Sequence, residues 1–287
     1  MNAKPNIAFF GTPERAVIAL EGLKAEGVLP SLIVTQPDRP QGRKMIVTPP
    51  AAKVWAEKHN IPVLQPDTLD AAFADELRRR SFDVFVVVAY GKIMKEEILS
   101  IPRFGSINLH ASLLPKLRGS SPVESAILTN EKNTGVTVIR MDRLMDHGPI
   151  LAQKAVHLAT WPIPADDLAR VLVEEGAKLL AETVRALMNG TVSEIEQDHN
   201  SATYTKKITK EDGLIDLAAD PYQNFLKWNA YKGWPGSYFF IEKDGKKSRV
   251  IVTDASYENG AFIVKKVISE GKKEVSWDEF RRTNPGI

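Results

Sequence analysis

Asn108 and His110 stand two residues apart at the end of an apolar run, in the stretch INLHASLLPKLRG over residues 107–119. Residues two apart in an extended chain share a face. A buried strand spends adjacent same-face positions on polar groups only where something pairs with them. The chemistry open to this pair is specific. An asparagine amide can donate to an oxygen on which negative charge develops, and an imidazole can give or take a proton near neutral pH. Asp146, 36 residues after His110, offers a carboxylate that could orient the imidazole.

Each residue alone also has a plain structural reading. A histidine near a strand end is more often a satisfied structural group than a catalyst. Asn108 could cap a turn, and Asp146, just before His147 and Gly148, could be an ordinary turn aspartate. His59, His147, His157 and His199 keep the structural reading.

The elements that must hold these residues follow from hydrophobic patterning. Residues 6–10 form a short apolar run. Gly11-Thr12-Pro13 ends it, and Val17, Leu20 and Leu23 recur at helical spacing. Further strands are expected over 32–35, 61–64 and 84–90, and helices over 54–59, 69–79 and 95–99. The continuous run DVFVVVAYG reads as a strand buried on both faces, as in a parallel sheet. Ser121-Pro122 reads as a cap and first turn for a helix over 122–128. GVTVIRMD reads as another strand, and 168–188 as a long amphipathic helix. Alternating strands and helices predict an α/β, Rossmann-like open sheet, mainly parallel. In such a sheet ligands bind beyond the carboxyl ends of the strands, where Asn108, His110 and Tyr90-Gly91 all fall.

From about residue 201 lysines, aromatics and short strand-like pieces take over. We expect a first domain over 1–204 and a small β-rich domain over 205–287. The later stretch holds 15 Lys and Arg against 12 Asp and Glu. The whole chain, at 287 residues and +2 net charge, is too balanced to announce a nucleic-acid partner by charge alone. It contains no cysteine, which excludes disulfides, thiolate nucleophiles and Cys-ligated metals. The opening residues lack a signal-peptide pattern and no apolar run could span a bilayer, so a cytoplasmic protein without membrane attachment is expected. Neither a G-x-G-x-x-G fingerprint, nor a phosphate loop, nor an H-E-x-x-H zinc motif is present.

NLHASLLPKLRG followed by MDHG at 145–148 resembles the folate-dependent formyltransferase family. So do FFGTPERAVIALEGL, VTQPDRPQGRK, VVVAYGKIMKEEIL, TGVTVIRMD, YTKKITKEDGLIDL and WPGSYF, which together span almost the whole chain in the family's order. The resemblance implies a formyltransferase domain followed by a shortened OB-like domain. It implies transfer of a formyl group from 10-formyltetrahydrofolate to the α-amino group of methionine on initiator tRNA, for translation initiation, by a monomer that requires no metal. Asn108, His110 and Asp146 match the family's catalytic residues. Ser112, Leu113, Leu114 and Pro115 match its folate loop, with Tyr90, Gly91 and Ile93 lining the pterin pocket. Arg39, Arg43 and Lys44 lie in a loop that inserts beside the tRNA acceptor end. Departures from the family pattern are Leu117 in place of Trp, Ser120-Ser121 in place of Ala-Ala, and Leu144 in place of Gly. Two other readings remain open: an amino-sugar-nucleotide N-formyltransferase using the same folate, and a non-catalytic RNA-binding protein on the same scaffold.

Overall fold

The computed structural model describes residues 4–42, 45–243 and 245–285. The elements run β1 (Ile7–Phe10), α1 (Glu14–Ala25), β2 (Leu32–Val34), β3 (Arg39–Gln41), β4 (Ile46–Thr48), α2 (Ala51–Lys58), β5 (Val63–Leu64), α3 (Ala71–Arg78), β6 (Val84–Val87), α4 (Glu96–Leu99) and β7 (Ser106–His110). They continue α5 (Pro122–Leu128), β8 (Thr134–Arg140), β9 (Ile150–Val156), α6 (Ala165–Met188), α7 (Pro221–Tyr231), β10 (Tyr238–Lys243), β11 (Lys246–Glu258), β12 (Ala261–Ser269), β13 (Glu274–Ser276) and α8 (Trp277–Thr283).

The chain falls into two compact units. One takes in the residues up to Gly119, Asn133–His157 and Ala169–Tyr204; the other takes in Ser120–Lys132, Leu158–Leu168 and the residues from Thr205 onward. Two stretches with no break in patterning, 120–132 and 158–168, therefore group with the later residues.

The first unit is built on a seven-stranded sheet in the order β5-β2-β1-β6-β7-β8-β9. β1 pairs in parallel with both β2 and β6, and β6 with β7. β8 and β9 add antiparallel pairs. The run IAFF in β1 is wholly buried, and so is VFVV in β6. Strands covered on both faces need continuous apolar sequence, which is why these runs read correctly. The antiparallel direction of β8, and β9 itself, were not legible: pairing direction leaves no mark on a hydrophobic run. On α1, Ala16, Ala19, Leu20 and Leu23 form the buried stripe. Helix α6 lies close on β7 at Gly176, where a Cβ would stand 2.7 Å from Leu109 Cδ1. α3 starts at Asp70, whose side chain accepts from Phe73 N–H at 3.0 Å.

The polar loop after β2 is partly ordered as a hairpin, with Arg39 opposite Thr48 and Pro40 opposite Val47. Sequence alone suggested an irregular loop there, because its prolines and glycine mask the pairing.

The second unit carries a four-stranded antiparallel sheet in the order β10-β11-β12-β13. Its core gathers Ile215, Trp228, Phe239, Val250, Val267 and Phe280. α5 belongs here and begins with Pro122 in its first turn. The Ser121 side chain does not cap it, contrary to expectation; the Ser121 N–H instead donates to Thr205 Oγ1 at 3.1 Å. Among the described residues no helix is long and apolar enough to cross a membrane.

Candidate active site

In the first unit the parallel strands β1, β2, β6 and β7 end at one edge, and β1 has β2 on one side and β6 on the other. That reversal is the topological switch point at which open α/β sheets form their crevice. Tyr90 sits there, just past β6. Its carbonyl accepts from Thr12 Oγ1, beyond β1, and from Gln36 Nε2, beyond β2, each at 2.9 Å. Three strand ends are thus tied at one oxygen. The Tyr90 hydroxyl is buried without a hydrogen-bond partner, and burial pushes it up to about 12. Gly91 follows at φ 79°. Ile93 is 84% exposed, an apolar side chain left open to solvent beside the crevice.

β7 carries Asn108 opposite Val87 of β6 and Ile139 of β8, and His110 opposite Thr137. Both point to one face, as their spacing requires. The Asn108 side chain is half-buried and, among the described residues, has no hydrogen-bond partner. A half-buried amide without partners is a donor and acceptor open to a ligand. His110 is buried at 5% exposure. Its Nε2 lies 2.9 Å from the Leu117 carbonyl, and its Nδ1 lies 3.6 Å from Asp146 Oδ2. A carbonyl can only accept, so Nε2 is the donor in that contact.

Asp146 adopts φ 51°, a left-handed conformation that aspartate tolerates better than most residues. Its Oδ2 also accepts from Gly119 N–H at 2.7 Å. Close packing of the loop that carries Asp146 depends on Gly148, where a Cβ would stand 2.0 Å from the Arg140 carbonyl oxygen.

The loop over 112–115 is tied down by residues that sequence reading did not single out. Thr137 Oγ1 donates to the Ser112 carbonyl at 2.7 Å and accepts from Leu114 N–H at 3.1 Å. Gln153 Nε2 donates to the Leu114 carbonyl at 2.9 Å. Ser112 Oγ donates to the Lys116 carbonyl, and Leu114 is buried. Leu113 and Pro115 are half-buried. Two buried polar residues, Arg118 and Gln197, were also missed. Nothing in LPKLRG distinguishes the exposed Lys116 from the 1%-exposed Arg118.

Arg39 is exposed on the hairpin, next to Met45, Ile46 and Val47, which are themselves exposed. The hairpin is rooted by Asp38, which accepts from Lys53 at 2.8 Å and Gln65 at 2.7 Å. The Gln65 hydrogen bond, with that of Lys53 after it, holds the Asp38 carboxyl below its ordinary value. Arg43 and Lys44 lie outside the described residues. Also among the described residues, no group of three His, Asp or Glu is placed to hold a metal.

The open, mainly parallel sheet carries an Asn-x-His strand end facing a half-buried aspartate, an arrangement suited to acyl-group transfer. A protein-family model described as formyl transferase matches residues 5–201, and the chain belongs to that family. It is 44% identical over 267 residues to the methionyl-tRNA formyltransferase of Chloroflexus aggregans, covering 90% of this chain and 84% of that one. Among solved structures, the methionyl-tRNA formyltransferase of Clostridium thermocellum superposes with a TM-score of 0.63 at 17% identity, over 95% of this chain and 99% of that one. An N-formyltransferase of Helicobacter canadensis, solved with folinic acid and dTDP-3-aminofucose, superposes with a TM-score of 0.62 at 19% identity, over 88% and 89%. At those identities the structural likeness speaks for the fold alone.

Proposed function

We propose that the chain transfers a formyl group from 10-formyltetrahydrofolate to the α-amino group of methionyl initiator tRNA. The observation that carries the chemistry is the unpartnered Asn108 amide on the same strand face as His110, whose ring lies between Leu117 and Asp146. The substrate follows from the relative: 44% identity to a methionyl-tRNA formyltransferase over 90% of the chain outweighs 19% to a sugar-nucleotide enzyme.

The residues present fit a folate donor. Tyr90, Gly91 and the exposed Ile93 follow the end of β6 at the switch point. The loop of Ser112, Leu113, Leu114 and Pro115 is fixed by Thr137 and Gln153. These residues would hold the pterin and its linker. When bound, the folate supplies the formyl group, and acyl transfer to an amine builds negative charge on the formyl oxygen.

Asn108 donates its amide N–H to that oxygen. His110, as imidazolium, adds positive charge beside that oxygen or exchanges the proton that the attacking amine must lose. Asp146 holds the ring in place from the Nδ1 side. No metal enters these steps. Arg39, Arg43 and Lys44 meet the acceptor end of the tRNA, with the exposed Met45, Ile46 and Val47 beside them. The same reading makes 1–204 the catalytic domain and 205–287 a shortened OB-like domain. It also places the enzyme in the cytoplasm as a monomer. Incubation with 10-formyltetrahydrofolate and charged initiator tRNA, scored for formyl-methionine, tests it. Formylation of an amino-sugar nucleotide with none of the tRNA would overturn it.

A further inference from the structure

Among the described residues Arg118 is one of the largest fully buried side chains, at 1% exposure. A guanidinium stays charged at any attainable pH. Burying a charge without a counter-ion is costly, yet every partner of this one is neutral or an imidazole. Nε and Nη2 donate to the same Gln197 Oε1, at 3.1 and 2.7 Å. Nη2 also donates to His199 Nδ1 at 2.8 Å, and Nη1 to the Tyr204 hydroxyl at 3.3 Å. A fold that needed only to fill this space would gain nothing from a guanidinium.

The double donation dictates which way the Gln197 amide faces. With Oε1 held by the guanidinium, its Nε2 must point the other way, and it donates to the carbonyls of Asp146, at 3.0 Å, and Gly148, at 2.7 Å. The reversed amide would set N–H against N–H. Asp146 is therefore gripped twice from one place. Gln197, oriented by Arg118, holds its backbone, and the N–H of Gly119, next to Arg118 in sequence, holds its carboxylate at 2.7 Å. We propose that Arg118, acting through Gln197, is a positioning residue that sets Asp146 against His110. This rests on the reading of Asp146 as part of the catalytic group.

Gln197→Glu is the sharp test. It keeps an oxygen for Arg118, now as a charged partner, and replaces the donor to the Asp146 and Gly148 carbonyls with an acceptor. With circular dichroism and thermal melting near wild type, kcat is expected to fall about 10–100-fold, the scale of a small misplacement at a reacting centre. KM for tRNA and for folate should move little. Should that variant not fold, Arg118→Lys keeps the charge but loses the fork, and the same loss is expected. Either substitution is then repeated on Asp146→Asn. A residue acting only through Asp146 changes kcat less than about 2-fold in that background, whereas independent effects multiply. Full multiplication, or an unchanged kcat in the single variant, would overturn the proposal. If Asp146→Asn alone leaves kcat intact, the catalytic reading of Asp146 fails instead, so the two failures are told apart.

Discussion

One oxygen, Asp146 Oδ2, accepts the N–H of Gly119 at 2.7 Å and faces Nδ1 of His110 at 3.6 Å. The carboxylate is thus locked by backbone on one side and presented to the imidazole on the other. The shorter, better-formed contact is the structural one. The longer one has room to tighten when substrates close the site, as catalytic hydrogen bonds often do.

His110→Ala is expected to lose about 10²–10⁴-fold in turnover, as removal of a positioned acid–base group does. Asn108→Ala is expected to lose about 10²–10³-fold, the cost of one donor to a developing oxyanion. Asn108 has no partner among the described residues to leave stranded, so its substitution should barely move the melting temperature. Single-turnover rates alongside circular dichroism measure both; near-wild-type turnover in either variant removes that residue from the mechanism.

Asp146→Asn isolates the charge. Asparagine tolerates the left-handed φ of 51° as aspartate does, and its carbonyl oxygen can still take the Gly119 N–H. The loop should therefore hold while His110 loses its anionic partner. The expected outcome is a fall in kcat at saturating substrates with little change in KM; equal kcat would make Asp146 a turn residue only.

Gly148→Ala should damage both fold and site. The added Cβ meets the Arg140 carbonyl oxygen at 2.0 Å, and backbone cannot move aside as a flexible side chain can. Overpacking of this kind costs on the order of 1–3 kcal/mol. Urea denaturation would show a lower midpoint, and activity should drop with it.

Glu175 supplies a pH-dependent term away from the site. Its hydrogen bonds from Lys154, at 2.7 Å, and Lys178, at 2.6 Å, hold its carboxyl at about 2, below the ordinary 4.5. A carboxylate lowered on folding stabilises the native state above its unfolded value, and that contribution fades as pH falls toward the folded value. Both pairs are partly solvated, so the sum is about 1 kcal/mol or less. Glu175→Gln should melt below wild type at pH 7, with the gap closing between pH 4.5 and pH 2. A gap independent of pH would mean that packing, not charge, is responsible.

Arg39→Ala and Arg43→Ala should weaken tRNA binding and spare folate. For every phosphate that a variant no longer neutralises, the slope of log affinity against log salt should shrink by about 0.7–0.9. Titrations of tRNA at several salt concentrations, with folate binding as control, measure this. Unchanged slopes in both variants would return the hairpin to a solvated turn.

Much of this protein is written in local pattern. The buried runs of β1 and β6, the stripe on α1 and the shared face of Asn108 and His110 follow from apolar continuity and from the two-residue repeat of a strand. These are properties of a few consecutive residues, so a sequence determines them without help. Tertiary structure decided the rest. It brought Asp146 across 36 positions to His110, tied the ends of β1, β2 and β6 at the Tyr90 carbonyl, and turned β8 and β9 antiparallel. It also separated Lys116, in solvent, from Arg118, buried against Gln197. Two cations two residues apart are equivalent in sequence. Only the chain at 197–204, which brings Gln197, His199 and Tyr204 to Arg118, sets that residue apart, because burial and partner geometry are set by segments remote in the chain.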